Sequence, residues 1–118
     1  MNVQRGDAVL VDCPLSSGAG TKVRPSLVVQ NDRDNLRLTN TVVAQITSNI
    51  HRAGEATQVL IELSTAAGKQ SGLQFDSVVN CANLATLEKT RVLRKLGALP
   101  DAVIPKVNEA LKAALDIP

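Results

Sequence analysis

Apolar residues come in short runs separated by polar or glycine-bearing stretches, a pattern of strands rather than long helices. Residues 8–13, Ala-Val-Leu-Val-Asp-Cys, are apolar at adjacent positions and predict a strand buried on both faces. Residues 15–22 hold two glycines and three hydroxyl residues and predict a mobile loop. Pro25 then opens a strand over residues 26–30, because proline is accepted at a strand's first position and keeps Arg24 extended. Residues 31–35 predict a turn region. A third strand follows at 41–47. The fourth, at 57–63, alternates Thr57, Val59, Ile61 and Leu63 against Gln58, Leu60 and Glu62, as a half-buried strand should.

The polar segments 48–56 and 64–74 predict loops, with Gly68 and Gly72 in the second, and residues 76–81 predict a fifth strand. Residues 87–91 are open between a turn of helix and a lead-in to a strand at 92–96. Near the C-terminus Val103/Ile104, Val107, Ala110/Leu111 and Ala114/Leu115 recur at helical spacing. Proline is tolerated only in a helix's first turn, so Pro105 sets that helix's start near Asp101. The pattern outlines a mainly β, barrel-like single domain over residues 1–118, closed by a C-terminal helix.

A length of 118 residues suits one compact domain. No apolar run reaches the roughly 18 residues of a membrane helix, and the N-terminus lacks the apolar stretch of a signal peptide. A soluble, cytoplasmic chain is expected, with no membrane partner. Net charge is only +2, which disfavours a strongly basic duplex binder. An aromatic content of 1% speaks against single-strand binders that stack bases on aromatic platforms. Cys13 and Cys81, 68 residues apart, read as unbridged structural thiols. With His51 they fall short of the about four ligands of a structural zinc site, so no metal and no cofactor is expected.

Arg24 is the most interesting charge. It stands between a hydroxyl-rich loop and a hydrophobic strand, where a guanidinium can clamp a phosphate through two parallel hydrogen bonds. Its plainer role is that of a solvated residue before a strand, and spacing alone favours that role. Thr47, Ser48 and Asn49 end the third strand; such side chains commonly satisfy loop backbone, and they can equally present donors to an anion. Lys89, Arg91, Arg94 and Lys95 read as a wet basic face. His51 has no partner in sequence, and Arg5-Gly6-Asp7 reads as a turn opening a strand.

Taken in order, these segments resemble the PemK/MazF family of toxins from toxin–antitoxin systems, which are sequence-selective endoribonucleases. The resemblance rests on Arg5-Gly6-Asp7, the stretch Val-Arg-Pro-Ser-Leu-Val-Val-Gln-Asn-Asp at 23–32, and Val-Ala-Gln-Ile-Thr-Ser at 43–48. Gly72-Leu73 with Asp-Ser-Val-Val at 76–79 continues it, as does Leu-Gly-Ala-Leu at 96–99 leading into Val-Asn-Glu-Ala-Leu at 107–111. It runs almost end to end. The resemblance implies an SH3-like barrel of the plasmid-maintenance-toxin type, a homodimer, and an RNA groove across the dimer.

By the same resemblance Arg24 and Thr47 line the catalytic site, while Ser48, Asn49 and the loop residues Ser16, Ser17, Thr21 and Lys22 contact RNA. Single-stranded RNA, a cognate antitoxin and, only through the antitoxin complex, operator DNA are the implied partners. RNA carries its own nucleophile, the 2′-OH, so the implied chemistry is metal-independent phosphodiester cleavage with Arg24 stabilising phosphate charge. The chain departs from some relatives at Asn80 and Ala82, where they carry catalytic arginine and aspartate, and at Ala85. Those departures leave open a second class, a toxin-fold binding module without catalysis that holds antitoxin and operator DNA or blocks a topoisomerase.

Overall fold

The computed structural model describes residues 2–14 and 17–118. Its elements, in order, are β1 (Asp7–Pro14), β2 (Thr21–Val28), α1 (Asp32–Arg37), β3 (Asn40–Thr47) and β4 (Gln58–Ile61). They continue with α2 (Ala66–Ser71), β5 (Ser77–Glu88), a 3-10 turn (Lys89–Arg91), β6 (Val92–Ala98) and α3 (Ile104–Leu115). The strands form one antiparallel sheet in the order β4-β5-β3-β2-β1-β6. No helix among the described residues is long and apolar enough to cross a membrane.

Adjacent apolar positions in β1 serve two cores, as the sequence implied. Ala8 joins one cluster with Leu27, Ala44, Ile46, Val79 and Cys81, which α3 covers with Val107 and Ala110. Val9 and Val11 turn to the opposite face and pack with Val28, Val43, Leu87 and Val92, with Cys13 beside them. The two thiols therefore lie in different cores. Burial pushes Cys81 up to about 11, and burial raises Cys13 as well, against the opposing pull of Arg24.

The expected mainly β architecture stands, with one refinement: the sheet is open. Its outer strands β4 and β6 are not paired with each other, and α2 lies between them. Gly68 of α2 rests on the carbonyl of Glu62, just past β4, where a methyl group would collide with backbone. On the other side Gly97 of β6 lies equally close to the backbone of Gln70 and Ser71. Hydrogen bonding alone does not close this barrel, and glycine-mediated contact with a short helix fills the gap.

Four local expectations are corrected. Residues 31–35 are not a turn: Asn31 caps α1, its side chain accepting from the Asp34 amide at 2.9 Å. The predicted loop 64–74 contains α2, capped by Thr65 and ended by Gly72 at φ +73° in the left-handed region. Both helices have six residues, too few for apolar periodicity to register. Pro25 lies inside β2 rather than at its start, opposite Leu10. That is tolerated because the ladder between β2 and β3 stops at Ser26, leaving β2 an edge on that side. Finally α3 begins at Ile104, three residues later than expected, after a turn at 101–103.

The Arg5-Gly6-Asp7 turn is structural. Arg5 donates from Nε to the Val29 carbonyl at 2.9 Å and from Nη2 to Asn108 Oδ1 at 2.7 Å, tying the entry of β1 to α3. Gly6 adopts φ +94°, and the buried Asp7 meets Lys95 at 3.3 Å.

Candidate active site

Past Ser26 and Gln45, the last paired rung, β2 and β3 part, and a cleft of about 730 Å³ opens between them. Lys22, Arg24 and Pro25 line it from β2, and Thr47 and Ser48 from the end of β3. Arg94 of β6 and the turn 72–75 between α2 and β5 complete the wall. Arg24 and Thr47 are half-buried, whereas Lys22, Ser48 and Arg94 are exposed. The fold thus sets three cations, Lys22, Arg24 and Arg94, and three hydroxyl residues, Thr47, Ser48 and Ser77, around one open cavity, a composition suited to a phosphodiester.

Thr47 is oriented by its own loop. Its Oγ1 accepts the Asn49 amide at 3.1 Å, and Asn49 Oδ1 in turn accepts the His51 amide at 3.1 Å. The first bond occupies an acceptor site on the hydroxyl, so the O–H proton stays available for an anion. Thr47 and Asn49 thus satisfy loop backbone, the commoner role for such a strand end, while Thr47 and Ser48 also line the cavity.

A second cavity of about 700 Å³ adjoins the first, and Arg24 and Gln45 line both. Its wall includes Cys13, Ser26, Asn83, Ala85 and Arg91. Asn83 donates to Gln45 Oε1. That pairing depends on an irregularity in β5, where the register jumps from Ala44 opposite Leu84 to Gln45 opposite Asn80. Asn80, one of the departures noted in the sequence, is held by Gln58 Nε2 at 2.8 Å and the Ala82 amide at 3.0 Å.

Of the residues singled out from sequence, Arg24, Thr47, Ser48 and Lys22 share the first cleft. Thr21 and Lys22 belong to β2 rather than a loop, paired with Pro14 and Cys13. Ser17, Thr21 and Asn49 are exposed but do not line the cleft, and Ser16 lies outside the described residues. Gln45, Phe75 and Arg94 line the cleft without having been singled out as site residues. Only Arg94 had a signal, as one member of a basic stretch. That stretch is more than a wet face: Lys89 Nζ donates to the Asn35 carbonyl at 2.7 Å and Arg91 to the Asp12 carbonyl at 3.3 Å. Among the described residues no group of three His, Cys, Asp or Glu is arranged to hold a metal ion.

Relatives share this architecture along nearly the whole chain. The endoribonuclease EndoA of Bacillus subtilis is 36% identical over 116 residues, covering 98% of this chain and 96% of its own. The endoribonuclease MazF of Staphylococcus saprophyticus is 34% identical, covering 98% and 92%. A solved mycobacterial endoribonuclease, in complex with its cognate antitoxin, superposes with a TM-score of 0.79 at 27% identity, covering 98% and 97%. The family profile described as PemK-like, MazF-like toxin of type II toxin-antitoxin system matches residues 4–115. With the family match spanning residues 4–115 and a relative 36% identical over 116 residues, this chain belongs to the PemK/MazF toxin family.

Proposed function

We propose that the protein is an endoribonuclease toxin that cuts single-stranded RNA in the cleft between β2 and β3 and is neutralised by a cognate antitoxin. The observation that carries this is the shared cleft of Arg24 and Thr47, reached from two different strands. The curated relatives named as endoribonucleases support the RNA substrate, and the mycobacterial complex supports the antitoxin.

The 2′-oxygen attacks the adjacent phosphorus and gives up its proton to water, the P–O5′ bond breaks, and the leaving 5′-oxygen takes a proton from water, so the products are a 2′,3′-cyclic phosphate and a 5′-OH. Negative charge gathers on the non-bridging oxygens as the phosphorane forms. Arg24 meets that charge with two N–H donors in fixed geometry, and the Thr47 hydroxyl donates to the same oxygens. Arg24 serves as a donor to the developing charge, through its planar fork of N–H groups. Lys22, Ser48 and Arg94 hold the neighbouring phosphates. RNA supplies the nucleophile, so no metal is required. A homodimer, with the antitoxin lying over the cationic cleft and reaching operator DNA as a complex, completes the assembly.

The test is to incubate pure protein with a long mixed-sequence RNA in excess chelator and identify the new ends. A 2′,3′-cyclic phosphate, or its 3′-phosphate hydrolysis product, with a 5′-OH is the expected outcome. Intact RNA, or 5′-phosphate ends, would overturn the mechanism, and intact RNA with antitoxin still bound would favour a binding-only module.

A further inference from the structure

We propose that Phe75 is the stacking platform for a nucleobase flanking the scissile phosphate, an inference that rests on the RNA-cleaving reading above. Phe75 is the only aromatic side chain in the protein, yet it takes no part in either core. It is 64% exposed and lines the cleft that holds Lys22, Arg24, Thr47 and Arg94. A phenyl ring left in water forgoes the burial that a core would provide. Beside three cations, it suits a ligand that pairs a flat apolar face with negative charge, and a nucleotide has both features. Val23, 48% exposed on β2, is the other exposed large apolar side chain lining the same cavity.

The turn that carries the ring is anchored. Gly72, at φ +73°, sits so close to the Leu96 carbonyl that any side chain would collide with it. The Leu73 amide donates to Ser71 Oγ at 3.1 Å. Asp76 Oδ1 accepts the Leu63 amide at 2.7 Å, and Ser77 Oγ donates to the Phe75 carbonyl itself at 2.8 Å. The ring is therefore presented from backbone already ordered, which lowers the entropic cost of binding. Every base has a π-face, so Phe75 contributes affinity and positioning rather than base identity.

The wild type first identifies a cut sequence. The probe is that oligonucleotide with 2′-deoxyribose at the cut, and a matched strand lacking the flanking base. Phe75→Ala should weaken binding of the intact probe by roughly ten- to a hundredfold, and Phe75→Tyr should restore it. The abasic strand should bind wild type and Phe75→Ala alike. Because the chain has no Trp, Phe75→Trp supplies a lone indole whose emission the intact probe should quench and the abasic strand should not. Equal affinity of wild type and Phe75→Ala for the intact probe overturns the inference, as does an equal loss on the abasic strand. Lost antitoxin binding or self-association with RNA affinity unchanged would assign the ring to a protein contact and overturn it too. If wild type cuts RNA and Phe75→Ala binds normally, only the stacking role fails. If wild type neither cuts nor binds RNA, the cleavage reading fails with it.

Discussion

Arg24 and Thr47 are register counterparts on neighbouring strands, two residues beyond the last rung that holds those strands together. The ladder pairs Val28 with Val43, Leu27 with Ala44 and Ser26 with Gln45, and extending it by two would set Arg24 opposite Thr47. It does not extend, and the gap becomes the cleft. Pro25 contributes to the break, since it has no amide proton to offer as the next rung. A guanidinium and a hydroxyl are thereby aimed from two strands at one space, with their backbones ordered by β1 on one side and β5 on the other.

Replacing either side chain should therefore cost rate more than fold. Arg24→Ala should reduce cleavage by a hundredfold or more, on the order of the loss of one transition-state donor. Arg24→Lys should recover little, because an ammonium lacks the planar fork. Thr47→Ala should slow cleavage strongly, and His51→Ala, outside the cleft lining, should leave it near wild type. Single-turnover rates on one defined RNA, with thermal midpoints alongside, decide the matter; full activity in Arg24→Ala would refute the assignment.

The contact between α2 and β6 predicts a stability effect at a residue with no side chain. A methyl at position 97 would overlap the backbone of Gln70 and Ser71, and neither can withdraw without unseating α2. Gly97→Ala should destabilise the fold by about 1–3 kcal/mol or more, read as a lower urea midpoint. A change within about 0.5 kcal/mol would show that α2 moves freely on the sheet.

Cys81 predicts how stability falls in alkali. Burial holds its thiol at about 11 in the folded protein, above the ordinary 9.0. Below pH 9 the thiol is protonated in both states and its contribution is fully present. Between pH 9 and 11 the unfolded chain loses the proton first, so stability drops by up to about 2 kcal/mol. The thermal midpoint should decline across that window, and the decline should be shallower in Cys81→Ala. There is no Tyr to titrate in the same range. In the native protein at pH 8 a thiol reagent should modify half-buried Cys13 well before buried Cys81; equal rates would contradict the packing.

Much of the β framework was legible along the chain, because β4 alternates with a strand's period while β1 and β3 are short, β-branched apolar runs of strand length bounded by polar segments. The long stripe of α3 was equally plain. The polar half of β5 was not: residues 82–88 expose most of their side chains, and only pairing with β3 makes them a strand. Nor were α1 and α2, whose caps and glycine contacts matter more than any periodicity.

The same division runs through the candidate site. Family resemblance singled out Arg24, Thr47, Lys22 and Ser48 one by one, from residue types in a familiar order. Their convergence on one cleft depends on where the β2–β3 ladder ends and on how the strands part beyond it. Composition made the lone phenylalanine an argument against stacking; only its position, on an anchored turn facing the cleft instead of a core, makes it a candidate for that role. Local pattern determines which segments pair and bury, because hydrophobic period acts between near neighbours. Register and the meeting of distant side chains are set by contacts between residues far apart in the chain, which only the folded sheet brings together.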